Sequence, residues 1–289
     1  MDRPIRPLFP KGFLHELQVM ASVLSSDGAH DPDVLAVLGA SCALRLSSIP
    51  FPDALGVVRV GWVEGQFVIN PTYEQLKQSP IDLTMAGTRH GITTIEAGLK
   101  EVTEQQLVEA IGYGAQQLKT MIALQEELVA KAGKPKNTTL QIRKPAPEVI
   151  EEVRKFILAD LTRINEPKRK AERHHALDAL KTSAAERLAS NGSISPEDVA
   201  LAFEVIDRDV ARRMILDRQL RIDGRTYTQL REIRCEVGTL PRTHGSGLFT
   251  RGETQSLAVT TLGTSKDEQL IEALEGESYK RFMLHYNFP

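Results

Sequence analysis

Cysteine is nearly absent from this chain, with two in 289 residues, Cys42 and Cys235. They lie far apart and without ligand spacing, which argues against a disulfide framework and points to a reducing compartment. Aromatic residues are also scarce, at 5% with a single tryptophan, and Trp62 and Tyr113 stand too isolated in sequence to form a base-stacking platform. An excess of one charge is missing as well. Thirty-six Lys and Arg stand against 38 Asp and Glu, for a net charge of −2 and a pI near 6.4. No global basic field exists, so any RNA binding has to come from local clusters. No apolar run approaches the roughly 20 residues a membrane helix requires. The opening stretch, Met1 to Phe13, has no apolar signal core. A cytoplasmic protein without a membrane partner is the expectation. What is present is a 41% hydrophobic content, enough to bury a core and to exclude global disorder, in a length that suggests about two domains.

The first hundred residues read as α+β. Residues 16–24 alternate apolar and polar positions, which predicts a strand. Asp31-Pro32-Asp33 reads as a helix start, with a cap, a proline at the first helical position and an acid in the first turn. The helix it opens, through about Leu46, is apolar nearly all round and predicted to be buried, Cys42 with it. Residues 57–60 and 66–69 predict a hairpin through Glu64-Gly65. Residues 81–85 and 92–96 predict a second pair, bent at Ala86-Gly87-Thr88. Thr103-Glu104-Gln105-Gln106 is a capping-box pattern that opens a long helix, ended by Gly133 and Pro135. The lysine- and proline-bearing stretch 135–147 reads as a linker.

Residues 148–218 read as helical throughout. One helix runs from Glu148 to about Ile164 and a charged one covers about 168–189, stopped by Asn191-Gly192. A third starts at Ser195-Pro196-Glu197-Asp198. The charged faces read as solvated surface, and His174-His175 has no carboxylate partners that would make it a metal site. From Arg221 onward strands return at 232–237, 248–250 and 256–262, with 282–288 as a last strand. Among these strands a single run stands out: Leu240-Pro241-Arg242-Thr243-His244-Gly245-Ser246-Gly247-Leu248-Phe249-Thr250-Arg251-Gly252-Glu253-Thr254-Gln255. It gathers two arginines, a histidine, small hydroxyl residues and three glycines, a composition suited to bringing backbone and cations close to phosphate.

That run closely resembles the opening of the second ribonuclease-PH-like domain of bacterial polynucleotide phosphorylases. Asp2-Arg3-Pro4-Ile5-Arg6-Pro7-Leu8-Phe9-Pro10 resembles the family's first such domain, as do 33–43, Ile49-Pro50-Phe51, Asn70-Pro71-Thr72, 82–88 and Glu96-Ala97-Gly98. Residues 148–218 resemble the helical insert between the two domains. Arg221-Ile222-Asp223-Gly224-Arg225 and His285-Tyr286-Asn287-Phe288-Pro289 continue the match into the second. The fold this implies is α+β, with partial ribonuclease-PH-like domains of ribosomal-protein-like βαβα type flanking an all-helical domain. Its expected segments are 1–134, the linker 135–147, the helical insert 148–218 and 219–289. Against the family pattern the chain looks like an interior slice of a longer protein.

The resemblance implies a homotrimeric ring that threads single-stranded RNA. It attacks the 3′-terminal phosphodiester with inorganic phosphate as co-substrate and releases nucleoside diphosphates, with a divalent metal, Mg or Mn. An RNA degradation complex is a further implied partner. The family's active copy holds phosphate on three serines at a helix start, where N–H groups and hydroxyls favour an anion. The first copy here carries Asp31-Pro32-Asp33 at that place. The family's two aspartates and lysine near the Ala-Gly-Thr bend are reduced to Asp82, with Leu76 and Thr84 at the other places, so the metal ligands are not in this chain and Asp82 reads as structural. Asp53-Ala54-Leu55-Gly56 replaces a more usual Gly-Pro-containing turn.

The RNA- or phosphate-binding residues implied by the match are Arg3, Arg6, Arg242, His244 and Arg251. Arg3 and Arg6 read either as groups facing the site or as ordinary surface arginines. His244 reads as a hydrogen-bond donor to phosphate or as a proton donor. Arg251 reads as a phosphate contact or as a partner of Glu253. No complete catalytic set is in the chain, so the 289 residues alone are expected to be inactive. The competing reading is a non-catalytic RNA-binding scaffold, like the inactive subunits of exosome rings. A stand-alone ribonuclease PH is disfavoured by the helical insert.

Overall fold

In the computed structural model, which describes residues 1–140, 142–166, 170–189 and 194–288, the N-terminus forms the short helix α1 (Asp2–Ile5) and a 3-10 turn over Arg6–Leu8. After an extended stretch comes α2 (Asp33–Leu46), then β1 (Gly56–Val63), β2 (Gln66–Ile69), α3 (Tyr73–Gln78), β3 (Ile81–Thr88), β4 (Gly91–Leu99) and the 29-residue α4 (Glu104–Ala132). These four strands form one antiparallel sheet in the order β2-β1-β3-β4. Contacts group residues 1–143 with the segment from Gln269 onward, and Lys144–Glu268 as a second compact unit.

In the first unit β1 is apolar without alternation because both of its faces are covered. Val58 and Val60 pack with Leu83, Met85, Ala110 and Leu118 under α4, while Val57 packs with Val37, Leu44 and Ala86 under α2. The α4 approach is close. A Cβ on Gly114 would sit 2.4 Å from the Met85 sulfur and 3.0 Å from Val60, and one on Gly56 would sit 2.8 Å from the Leu118 carbonyl oxygen. Farther along α4 the buried Gln125 donates from Nε2 to the Leu55 carbonyl at 2.9 Å and accepts from Ser41 Oγ at 2.7 Å. Ser41 Oγ in turn accepts the Leu55 N–H at 2.9 Å. One closed polar clip thus joins α2, α4 and the entry to β1.

The two capping boxes in this unit, Thr72 with Gln75 and Thr103 with Gln106, are both formed. The β1–β2 hairpin turns through Glu64 and Gly65, both at positive φ, as the Glu-Gly pair predicts. Three expectations change. Residues 16–24 keep the alternation but pair with no neighbouring strand and form none themselves; a strand exists only through a partner's carbonyls and N–H groups. The β3–β4 turn lies at Arg89-His90, and Ala86-Gly87 is an irregularity inside the ladder, not the bend. The expected linker is partly docked onto the first unit. Lys134 N–H reaches the Leu46 carbonyl, Asn137 N–H the Ser48 carbonyl and Arg143 N–H the Gly12 carbonyl. The Lys136 ammonium donates to Leu44, Arg45 and Ser47 carbonyls at 2.8–2.9 Å, serving the open C-terminal end of α2.

The second unit holds α5 (Pro147–Ile164), α6 (Lys170–Ala189) and α7 (Pro196–Arg218), followed by β5 (Ile233–Val237), β6 (Gly245–Arg251) and β7 (Thr254–Thr260) in a three-stranded antiparallel sheet. Val153, Ile157 and Leu161 of α5 meet Leu177 and Ala184 of α6 and Val199, Phe203 and Ile206 of α7. Ser195 caps α7 through the Asp198 N–H, as its sequence predicts. The stop expected at Asn191-Gly192 lies outside the described residues. The expected strand at 282–288 is absent over its described length. Instead β8 (Gln269–Ala273) and β9 (Gly276–Lys280) form a separate two-stranded ladder in the first unit.

Replacing Gln125 by Leu keeps the bulk but leaves the Leu55 carbonyl without its side-chain donor and Ser41 without its acceptor. Each orphaned group costs about 1–3 kcal/mol. Denaturant melts are expected to show Gln125→Leu destabilised by that order, and an unchanged midpoint contradicts the clip.

Candidate functional site

The first unit places a single arginine among three aspartates. Arg59, on the inner strand β1, donates from Nε and Nη2 to Asp82 on β3 at 2.7 and 2.8 Å, and from Nη1 to Asp31 at 2.9 Å, just before α2. Asp33, in the first turn of α2, lies 3.9 Å from the same Nη1. Asp31 Oδ1 also accepts the Asp33 N–H; the cap position of α2 is Pro32, one residue later than the sequence suggests, with no side-chain cap and no donor of its own. Arg59, Asp31 and Asp33 border a cavity of about 260 Å³ that His30, Asn70 and Pro71 also line. His30 hydrogen-bonds Asp27 at 2.6 Å, and that bond foremost holds the Asp27 carboxyl well below its usual range. Three carboxylates face one guanidinium whose forks they already occupy. An incoming phosphate would meet net negative charge and an arginine already engaged, an arrangement that disfavours anions. Asp82, expected to be structural, is the clamp on Arg59.

The second unit places Arg242 and His244 on the loop 238–244 between β5 and β6. Both are exposed. The loop is braced from within. Gly238 N–H reaches the Ser246 carbonyl at 2.8 Å, Leu240 N–H reaches Ser246 Oγ at 2.9 Å, and Thr243 Oγ1 donates to the Leu240 carbonyl at 3.1 Å. His244 Nδ1 accepts the Leu262 N–H at 2.8 Å, just beyond the end of β7. Among the described residues no carboxylate pairs with Arg242. Gly245 and Gly247 have negative or extended φ, and their missing Cβ atoms would meet nothing closer than 3.5 Å, so internal packing does not demand glycine there. Arg251 lies at the far end of β6, opposite Thr254, seven residues from His244 and so roughly 23 Å away at strand rise. Among the described residues it forms no ion pair with Glu253. The structure therefore brings Arg242 and His244 together and sets Arg251 apart.

Arg3 and Arg6 sit at the N-terminal helix of the first unit. Arg3 pairs with Glu96 of β4 at 3.3 Å with its side chain 82% exposed, and Arg6 is chelated by Asp2 on the same turn. Both are loose surface pairs that an incoming phosphate can displace at little cost. Two groupings were not legible in the sequence. Trp62 and Tyr113, remote in sequence, both meet Phe67, Trp62 edge-on at 4.5 Å and Tyr113 stacked at 5.4 Å between ring centroids, and pack against the core of the sheet and α4. Arg59, a lone arginine inside a valine run, gave no signal beyond being a charge in an apolar strand.

Asp33 is the weak member of the acidic cavity. Burial, then repulsion from Asp31, pushes its carboxyl above its ordinary value. A carboxyl that protonates more readily folded than unfolded opposes folding when ionised; that opposition fades as pH falls through the raised folded value and is gone below the unfolded value of about 3.9. Asp33→Asn is expected to raise the unfolding midpoint at pH 7 and to lose that advantage by about pH 3. Asp82→Ala, which strips Arg59 of two bonds, is expected to destabilise by about 1–3 kcal/mol. Melts of both variants across that pH range measure the contrast, and a lower midpoint for Asp33→Asn at pH 7 contradicts it.

Comparison with known proteins places these units. Residues 53–117 match the model described as 3′ exoribonuclease family, domain 2. Residues 148–226 match that of the polyribonucleotide nucleotidyltransferase RNA binding domain, and 229–289 that of the 3′ exoribonuclease family, domain 1. Domain 2 precedes domain 1, the order expected where the end of one copy is followed by the start of another. Similar proteins include polyribonucleotide nucleotidyltransferases of Halothermothrix orenii, 44% identical over 301 residues, Koribacter versatilis, 44% over 291, and Phenylobacterium zucineum, 43% over 300. Each match covers 100% of this chain but only 36–42% of the relative. With three family segments in series and similarity along its whole length, the chain belongs to the polyribonucleotide nucleotidyltransferase family, of which it spans about two-fifths of a member's length.

Proposed function

We propose that the chain is part of a 3′-to-5′ phosphorolytic exoribonuclease, in which Arg242 and His244 receive phosphoryl oxygens of single-stranded RNA or of the attacking inorganic phosphate. The observation that carries this reading is the braced loop 238–244, which holds out to solvent an imidazole N–H and a guanidinium with no carboxylate partner among the described residues. Bracing matters because donors already held in place lose little freedom when an anion arrives. Arginine presents a planar fork that matches two phosphate oxygens at once. The bare backbone at Gly245 and Gly247 leaves room beside them. Arg3 and Arg6 supply a second cationic point in the first unit, and Arg251 contacts RNA farther along its path or adds only to the local positive field.

The whole protein, on this reading, works as a homotrimer in the cytoplasm, releases nucleoside diphosphates and joins an RNA degradation complex. For the divalent metal, Mg or Mn, the described residues present no ligand set. Among those described, no three His, Cys, Asp or Glu side chains are placed to hold a metal ion, and the acidic cavity is occupied by Arg59. No step is assigned to a metal here. The first copy contributes architecture and not phosphate chemistry, because Asp31 and Asp33 stand where an anion-holding helix start would need free donors.

Two outcomes are expected of the purified 289-residue chain. It binds single-stranded RNA, and Arg242→Ala weakens that binding several-fold and lowers the dependence of log affinity on log salt by about 1. It releases no nucleoside diphosphate from RNA and phosphate. Fluorescence anisotropy over a salt series reads the first and chromatography of the products the second. Arg242→Ala and His244→Ala both binding like the parent overturns the site, and phosphate-dependent release by the chain alone overturns the assignment of its phosphorolytic groups elsewhere.

A further inference from the structure

The loop that carries His244 settles which of its two nitrogens carries the proton. The Leu262 backbone N–H points at Nδ1 from 2.8 Å, so Nδ1 is the acceptor and the proton of the neutral ring is on Nε2. Protonating Nδ1 would set two N–H groups against each other across that distance. The ring lies between the end of β7 and the start of β6, and this bond continues the β6–β7 ladder past its last backbone pair, Gly245 with Thr260. Nε2 is the nitrogen left for a ligand, and the His244 side chain is exposed.

We infer that His244 acts as a neutral, pre-set hydrogen-bond donor through Nε2–H to a phosphoryl oxygen, and that the Leu262 N–H positions it while the Ser246 hydroxyl braces the loop that leads to it. This rests on the anion-receiving reading of the loop and sharpens it by removing the proton-donor role. A neutral imidazole N–H shares its proton with an anionic oxygen but does not surrender it. The imidazolium that would surrender one requires the Nδ1 position that Leu262 already uses. Ser246 acts one step back. Its Oγ accepts the Leu240 N–H at 2.9 Å and lies 3.4 Å from Thr239 Oγ1, while its carbonyl holds Gly238. The residues that lead into Arg242 are thereby tied down, and Thr243 on its other side is held by the Leu240 carbonyl.

The test uses the full chain labelled with 15N-histidine. Long-range 1H–15N spectra report the tautomer of each of its seven histidines, and the His244 signals are assigned by their loss in His244→Asn. The expected result near pH 7.5 is an Nε2–H tautomer, kept in Leu262→Ala, which retains the N–H, and lost to a mixture in Leu262→Pro, which has none. Inorganic phosphate and a short single-stranded RNA are then titrated separately. A shift of Nε2 with phosphate alone assigns the co-substrate oxygen, and one with RNA assigns the polymer backbone. His244→Asn, whose Oδ1 can still accept from Leu262 but which lacks the Nε2 donor, is expected to lose about tenfold in affinity, the size of one hydrogen bond to a charged oxygen. Ser246→Ala is expected to weaken binding without changing the tautomer, and Ser246→Thr to restore it. An Nδ1–H tautomer in the parent chain overturns the inference even if Leu262→Pro fails to fold. Nε2 signals unmoved by both probes overturn it too. In that case a surviving loss in Arg242→Ala keeps the functional reading, and no loss there ends both.

Discussion

The first unit depends on how closely one long helix can lie on the sheet. α4 descends onto β1 and β3 because Gly114 presents no Cβ to Met85 and Val60, and because Gly56 clears the Leu118 carbonyl. At that separation the polar groups trapped between α4, α2 and the entry to β1 are cut off from water. A buried polar group without a partner destabilises by more than its bond stabilises, so Gln125, Ser41 and the Leu55 backbone have to satisfy one another, and they do. The clip holds α2 in place, and the position of α2 determines where Asp31 and Asp33 stand relative to Arg59.

Arginine appears in two electrostatic states in this chain. Arg59 is enclosed by carboxylates, Asp82 foremost, which hold its proton even more firmly than usual. Its charge ties α2 to β1 and β3. Arg242 projects from a braced loop with no carboxylate opposite it among the described residues. The same side chain is mortar in one setting and a receptor for anions in the other. What distinguishes them is whether the tertiary structure has already supplied the counter-charge, since guanidinium forks are few and directional.

Local chemistry was legible where it is self-contained. Thr103 with Gln106, Ser195 with Asp198 and the Glu64-Gly65 turn each complete their bonds within four residues, and each formed as its sequence implies. Elements whose bonds need a remote partner were not. The alternation at 16–24 met no neighbouring strand, and β8 and β9, five residues each, left too weak a pattern to be read. The apparent linker is half docked because Lys136 finds three carbonyls at the end of α2, a pairing no spacing announces. Trp62 and Tyr113 looked isolated because Phe67, which joins them, comes from the partner strand of a hairpin. Of the site, the run 240–255 was conspicuous in composition. The separation of Arg251 from His244 was not, because residues close in sequence spread along a rod of roughly 3.3 Å per residue once they form a strand.

By itself the sequence determined the family, the α+β class with its helical insert, the starts of α4, α5 and α7 and most of the strands, since capping and periodicity act over a few residues. Only the tertiary structure decided which charges are neutralised and which remain available. It placed three aspartates around Arg59, left Arg242 unopposed, and aimed the Leu262 N–H at one nitrogen of His244. Those outcomes depend on groups distant in sequence that folding brings within hydrogen-bonding distance, where Coulomb and hydrogen-bond energies become large enough to choose a protonation site or disfavour anions in a cavity.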